Sequence, residues 1–115
     1  MQIKSKNCRV DICKEKKMLR VRLSGEIDHH SAVAVRSEID TVIAELRPER
    51  LVLDLSGIDF MDSSGIGLIM GRYAKMKAVG GEIVVESPNA RVRRIFEMAG
   101  LDRIVRIEQK KEGEK

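Results

Sequence analysis

The sequence predicts an α/β domain: a mixed, mainly parallel sheet that starts with an antiparallel hairpin and carries helices packed on it. Three observations lead there. Short apolar runs alternate with stretches of three- and four-residue apolar spacing, which gives the order β-β-α-β-α-β-α-β. Repeated β-α-β units bring their strands parallel through right-handed crossovers. The chain has 115 residues, 43% of them hydrophobic, enough for one core without staples. Residues 1–115 are therefore read as one domain.

The hairpin covers residues 9–13 and 18–23. Leu19, Val21 and Leu23 alternate with Arg20, Arg22 and Ser24, the period of a half-buried strand. Lys14, Glu15, Lys16 and Lys17 form a charged turn between the two strands. Residues 24–30 read as a polar connection, with Ser31 as the N-cap of the first helix. Val35, Ile39, Val42, Ile43 and Leu46 give that helix its apolar face, and Arg47-Pro48 ends it. Residues 51–55 are an apolar run suited to a buried parallel strand. A loop follows over residues 56–61.

Asp62, Ser63 and Ser64 offer caps for a second helix with Ile66, Ile69, Met70, Tyr73 and Met76 on its buried face. Gly80-Gly81 stops it. Residues 82–86 make the next strand. Ser87 and Pro88 suit the N-cap and first position of a third helix, which buries Val92, Ile95, Phe96 and Ala99. Gly100 fits the position after the helix end, with Leu101 as its apolar contact. Residues 104–107 are the last strand, and 109–115 a frayed, charged tail.

Composition excludes several functions. Aromatics are 3% with no Trp, which argues against stacking platforms for single-stranded nucleic acid. The net charge is +4, but residues 1–25 carry eight Lys or Arg against two acids. That excess falls on what reads as an exposed sheet edge, where Lys guards against edge pairing, so no nucleic-acid partner is expected. Cys8 and Cys13 have no metal-binding spacing and would point to opposite faces of one strand, so no internal disulfide is expected. No stretch approaches the ~20 apolar residues of a membrane span, and no signal peptide is visible. A cytoplasmic location follows as the expectation.

Candidate sites lie around two segments. Gly65, Gly67 and Gly71 miss the dinucleotide spacing G-x-G-x-x-G by one residue. Ser63, Gly67 and Gly71 share one helical stripe. Two helical glycines cost about 2 kcal/mol relative to alanine, so something uses the bare backbone. That is either close packing inside the domain or a flat docking strip running away from Ser63. Ser63 and Ser64 are no hydrolase nucleophiles, because Met61 stands where the elbow motif needs Gly. They suit helix capping. A phosphate there would also meet the positive end of the helix dipole without unfolding the helix. Asp28 reads either as an exposed recognition acid in a loop or as a charge complementing a helix start. His29 and His30 are adjacent, seldom converge on one ion, and no acid or Cys completes a set, so no metal is expected. Arg91, Arg93 and Arg94 read as a solvated helix face.

Residues 23–30 (Leu-Ser-Gly-Glu-Ile-Asp-His-His) resemble the opening motif of STAS domains, the family of bacterial anti-sigma factor antagonists. Leu53-Asp54-Leu55, continuing through Phe60 to Gly67, is similar to that family's phosphorylation motif. Gly71-Arg72-Tyr73, Gly80-Gly81-Glu82 and residues 94–101 extend the likeness over about residues 9–107. The Asp-His-His and Gly-Arg-Tyr elements resemble the sporulation branch, the anti-sigma-F antagonists.

The resemblance implies a binding protein with no catalysis and no cofactor of its own. It would bind an anti-sigma factor that is also a serine kinase, and so release the sigma factor. That kinase, using its own ATP, would phosphorylate Ser63, and the phosphorylated form would let go. A PP2C-type serine phosphatase would restore it. By the same resemblance Asp28, His29, Asp62, Ser64, Gly65 and Gly67 would join Ser63 in meeting the partner. A general-stress or other partner-switching role is the alternative. A small nucleotide-binding protein using the glycine turn is a further one.

Overall fold

A computed structural model gives the fold for residues 2–4 and 8–109. Strand β1 (Gln2–Lys4) lies antiparallel to β2 (Cys8–Glu15), which lies antiparallel to β3 (Met18–Ile27). Then follow α1 (His29–Leu46), β4 (Arg50–Met61), α2 (Ser63–Ala78), β5 (Glu82–Glu86), α3 (Ala90–Met98), a 3-10 turn at Leu101–Arg103, and β6 (Arg106–Glu108). The strands stand in chain order across one sheet, with β3, β4, β5 and β6 parallel. The expected mixed, mainly parallel sheet is present, extended by β1. From residue 110 onward the charged tail lies outside the described residues.

The alternation along the strands decides which face is covered. Leu19, Val21 and Leu23 of β3, Leu51, Leu53 and Leu55 of β4, and Ile83 and Val85 of β5 join one core with the buried residues of all three helices. Parallel strands in simple succession, linked by crossovers of one hand, put their helices on the same face. The opposite face carries Arg20, Arg22, Asp54 and Glu86. There an ion pair of 2.6 Å from Arg20 Nη1 to Glu86 Oε1 reaches from β3 to β5 across β4. Val52 and Val84 are buried on that same face.

Several element boundaries differ from the sequence reading. Residues 24–27, read as a connection, continue β3, and residues 56–61, read as a loop, continue β4. Each stretch supplies the other's ladder: Ser24 pairs with Gly57, Gly25 with Ile58, Glu26 with Phe60 and Ile27 with Met61. Gly57 permits this approach, because a Cβ there would stand 2.7 Å from Ser24 Oγ. Two register shifts in the same stretch mark bulges.

Capping differs as well. Asp28, not Ser31, is the N-cap of α1; Ser31 sits three residues on, buried, and closes a capping box. Asn89, not Ser87, caps α3, while Ser87 lies before the helix at φ 55°. The face that α2 buries is Gly65, Leu68, Ile69, Arg72 and Met76. Ile66, Met70 and Tyr73 are only half-buried at its margin. Ala99 is exposed, and Ile95 half-buried. The 3-10 turn shifts the last strand to residues 106–108. Finally, β2 is not the outermost strand: β1 covers it along residues 9–11, so edge protection does not account for all of the basic hairpin.

Candidate functional site

Two neighbouring parallel strands end together and each turns directly into a helix. β3 ends at Ile27, Asp28 caps α1, and His29 begins it. β4 ends at Met61, Asp62 caps α2, and Ser63 begins it. Ile27 and Met61 are register partners, and the Asp62 N–H donates to the Ile27 carbonyl at 3.2 Å. The two helix N-termini therefore stand side by side at the carboxyl ends of the strands. That is the usual place for a ligand or partner site in open α/β sheets.

Both aspartates are tied down. The Asp28 carboxylate accepts from the Ser31 N–H at 2.9 Å, and Ser31 Oγ accepts from the Asp28 N–H at 2.9 Å. Asp62 Oδ1 accepts from the Ser64 N–H at 2.8 Å, and its carbonyl from the Gly65 N–H at 3.0 Å. Asp28 is thus a half-buried cap rather than an exposed loop acid. The reading as a charge complementing a helix start holds for it. Ser63 occupies the first helical position with its side chain exposed, and Ser64 is half-buried.

The glycines divide by role. A Cβ on Gly65 would overlap the Cγ and Sδ of Met61, so this glycine serves internal packing. Gly67 and Gly71 would meet nothing within 4 Å. The stripe Ser63–Gly67–Gly71 therefore faces open space, and packing inside the domain does not explain its two glycines. All three glycines lie within α2 rather than in a turn before it, so the dinucleotide-type turn weighed as an alternative is not formed.

Beside this strip a groove of about 240 Å³ runs between α1 and α2, lined by His29, Val33, Arg36, Ser64 and Gly67 among others. Val33 is exposed in its wall, and Phe60, at the end of β4, is exposed as well. His29 thus joins Ser64 and Gly67 at one surface. Among the described residues no group of three His, Cys, Asp or Glu side chains could hold a metal ion.

Sequence reading missed one feature of this region. Arg72 of α2 is buried, donates to the Leu68 carbonyl at 3.1 Å, and reaches Asp40 of α1 with Nη2 at 3.1 Å from Oδ2. Its Nε also lies 2.7 Å from Asp40 Oδ1, an ion-pair contact without hydrogen-bond alignment. Burial pushes the guanidinium pKa down, Asp40 pulls it up, and Arg36 pushes it down again. The pair fastens the two helices whose N-termini form the site. Its signal in the sequence is an Arg on an apolar stripe, four residues after Leu68 and four before Met76.

The STAS domain profile matches residues 9–113, most of the chain. The chain belongs to the STAS family. Among the relatives of this STAS domain, an anti-sigma F factor antagonist of Paenibacillus polymyxa is 42% identical over 88% of this chain and 86% of its own length. An anti-sigma-B factor antagonist of Bacillus subtilis is 33% identical over 93% of this chain and 96% of its own. The STAS fold superposes on the unphosphorylated form of the anti-sigma factor antagonist SpoIIAA with a TM-score of 0.80 at 30% identity, covering 90% of this chain and 89% of that one. The phosphorylated form of SpoIIAA, a Bacillus cell-fate determinant, gives a TM-score of 0.73 at 29% identity, covering 90% and 92%.

Proposed function

We propose that this STAS domain is an anti-sigma factor antagonist switched by phosphorylation at Ser63. The unmodified chain binds an anti-sigma factor that is also a serine kinase, and so frees the sigma factor. The kinase, with its own ATP, modifies Ser63; the modified chain lets go, and a PP2C-type serine phosphatase restores it. The chain itself catalyses nothing, and the exchange takes place in the cytoplasm. The observation that carries this reading is an exposed serine at the head of a glycine strip that faces open space.

The physics of the switch is local. A phosphate adds a charge close to −2. On Ser63 it would stand beside Asp62 and one strand from Asp28, at a surface a partner must desolvate. A coupling of 1–3 kcal/mol, about 5–150-fold in affinity, is the usual size of such an effect. The helix needs no refolding, because Asp62 already holds its first turn.

The relatives named for sigma F support the sporulation branch. The general-stress reading stands as the second, because the sigma-B antagonist of Bacillus subtilis matches nearly the full length. Intact mass after incubation with ATP and the anti-sigma kinase of the same genome tests the proposal, with Ser63→Ala in parallel. One added phosphate on the wild type and none on the variant is expected. An unmodified wild type in the presence of active kinase overturns the sporulation reading and turns attention to the stress kinases.

A further inference from the structure

At the other end of the sheet, away from Ser63, the β2–β3 turn and the link from α1 to β4 enclose a groove of about 420 Å³. Its apolar lining is Leu19 and Pro48, both buried, and Leu46, which is 39% exposed. Its rim carries Lys14, Lys16, Lys17 and Arg47 against the single acid Glu49. Lys17 pairs with Glu49 at 3.3 Å. Lys14, Lys16 and Arg47 form no ion pair among the described residues.

Structural needs of the fold do not explain these cations. Arg47, as the C-cap, complements the carbonyl end of α1, but Lys14 lies in β2 and Lys16 in the turn that follows it. β1 guards the β2 edge along residues 9–11, short of this turn. Lys16 and Arg47 also hold left-handed backbone at φ 52° and 43°, where Gly or Asn is the usual choice. Two long cations are kept in conformations that disfavour them, on both sides of one apolar lining.

We propose that this groove is a second docking surface, and that its occupant is an acidic segment of a partner protein that also presents an apolar side chain to Leu46. Charge complementarity selects the acids, and the exposed Leu46 selects an apolar neighbour. The chain's own tail is the wrong sign, since residues 109–115 carry three lysines against two glutamates. A nucleic acid would call for a longer run of cations tracking a phosphate backbone and gains nothing from the exposed Leu46. β4 separates the two surfaces by its whole length, so both can be occupied at once.

The test is an amide titration of the whole chain with an end-blocked eight-residue peptide alternating Glu and Leu. Saturable shifts confined to residues 14–19 and 46–49 are expected, with a dissociation constant below about 1 mM. The double variant Lys16→Asn/Arg47→Asn keeps backbone geometry that Asn accepts and removes both charges. It should bind at least tenfold more weakly, with an unfolding midpoint no lower than that of the wild type. The proposal is overturned if shifts spread over the surface, or if a Gln-Leu peptide binds equally. It is also overturned if inorganic phosphate or duplex DNA shifts the same residues more tightly, or if the double variant loses stability.

Discussion

Gly65, Gly67 and Gly71 look alike in the sequence and differ in the fold. Gly65→Ala drives a methyl into Met61 and should destabilise the chain by about 1–3 kcal/mol. Gly67→Ala and Gly71→Ala meet open space and should stabilise it by about 0.5–1 kcal/mol each, through helix propensity alone. Urea unfolding of the three variants checks the order, and Gly67→Ala should still weaken partner binding. Spacing along a helix revealed the stripe. It could not say which glycine was packed, because that depends on where Met61 of another element lands. The cysteines make a second contrast. Cys8 is buried and Cys13 exposed, as opposite faces of β2 require. Burial pushes the Cys8 thiol up to about 11. The folded state then holds a proton that the unfolded chain releases from about pH 9, so stability falls as pH rises between these values. The wild type should therefore lose ground to Cys8→Ala over that window by about 1.4 kcal/mol per pH unit, measured by unfolding at fixed pH.

At the scale of elements, the Arg72–Asp40 pair is the fastening between α1 and α2. Removing one member of a buried pair leaves a charge without its partner, which typically costs about 3–5 kcal/mol. Asp40 keeps 27% of its side chain exposed, so Asp40→Asn should fall near the lower end. Arg72→Met, which removes the buried charge itself, should cost less, and the double variant Asp40→Asn/Arg72→Met less than the sum of the two. Urea unfolding of the three closes the cycle. The strand ends show where sequence reading stops. Ser24, Gly25, Ser56 and Gly57 are turn-forming residue types, so residues 24–27 and 56–61 read as loops. In the fold each segment is the other's ladder partner, and pairing at long range overrides local preference. Local sequence does not separate Ser31 from Asp28 as the cap of α1, because both residue types fit that role. In the fold Ser31 is buried, and its Oγ donates to the Glu26 carbonyl at 3.1 Å while Asp28 takes the cap position.

For the whole molecule, the mixed, mainly parallel sheet was legible because β-α-β units of one hand bring their strands parallel. The first strand was not, since Gln2–Lys4 is too short to carry a period. The Ser63 region was legible as a motif, while the groove between α1 and α2 was not, because it needs two helices at once. One consequence follows from the single residue that separates β4 from α2. Many kinase acceptors lie on pliable segments that thread into a cleft as extended chain. Ser63 has no such slack: strand and helix clasp it on either side, and the Asp62 cap fixes its turn. Under the proposed switch, a kinase for Ser63 must then read relief rather than spelling. A synthetic peptide of residues 56–70 should stay unmodified under conditions where the folded chain is fully converted, as phosphate transfer from labelled ATP would show. To such a kinase, a misfolded copy of this chain would be not a poor substrate but an invisible one.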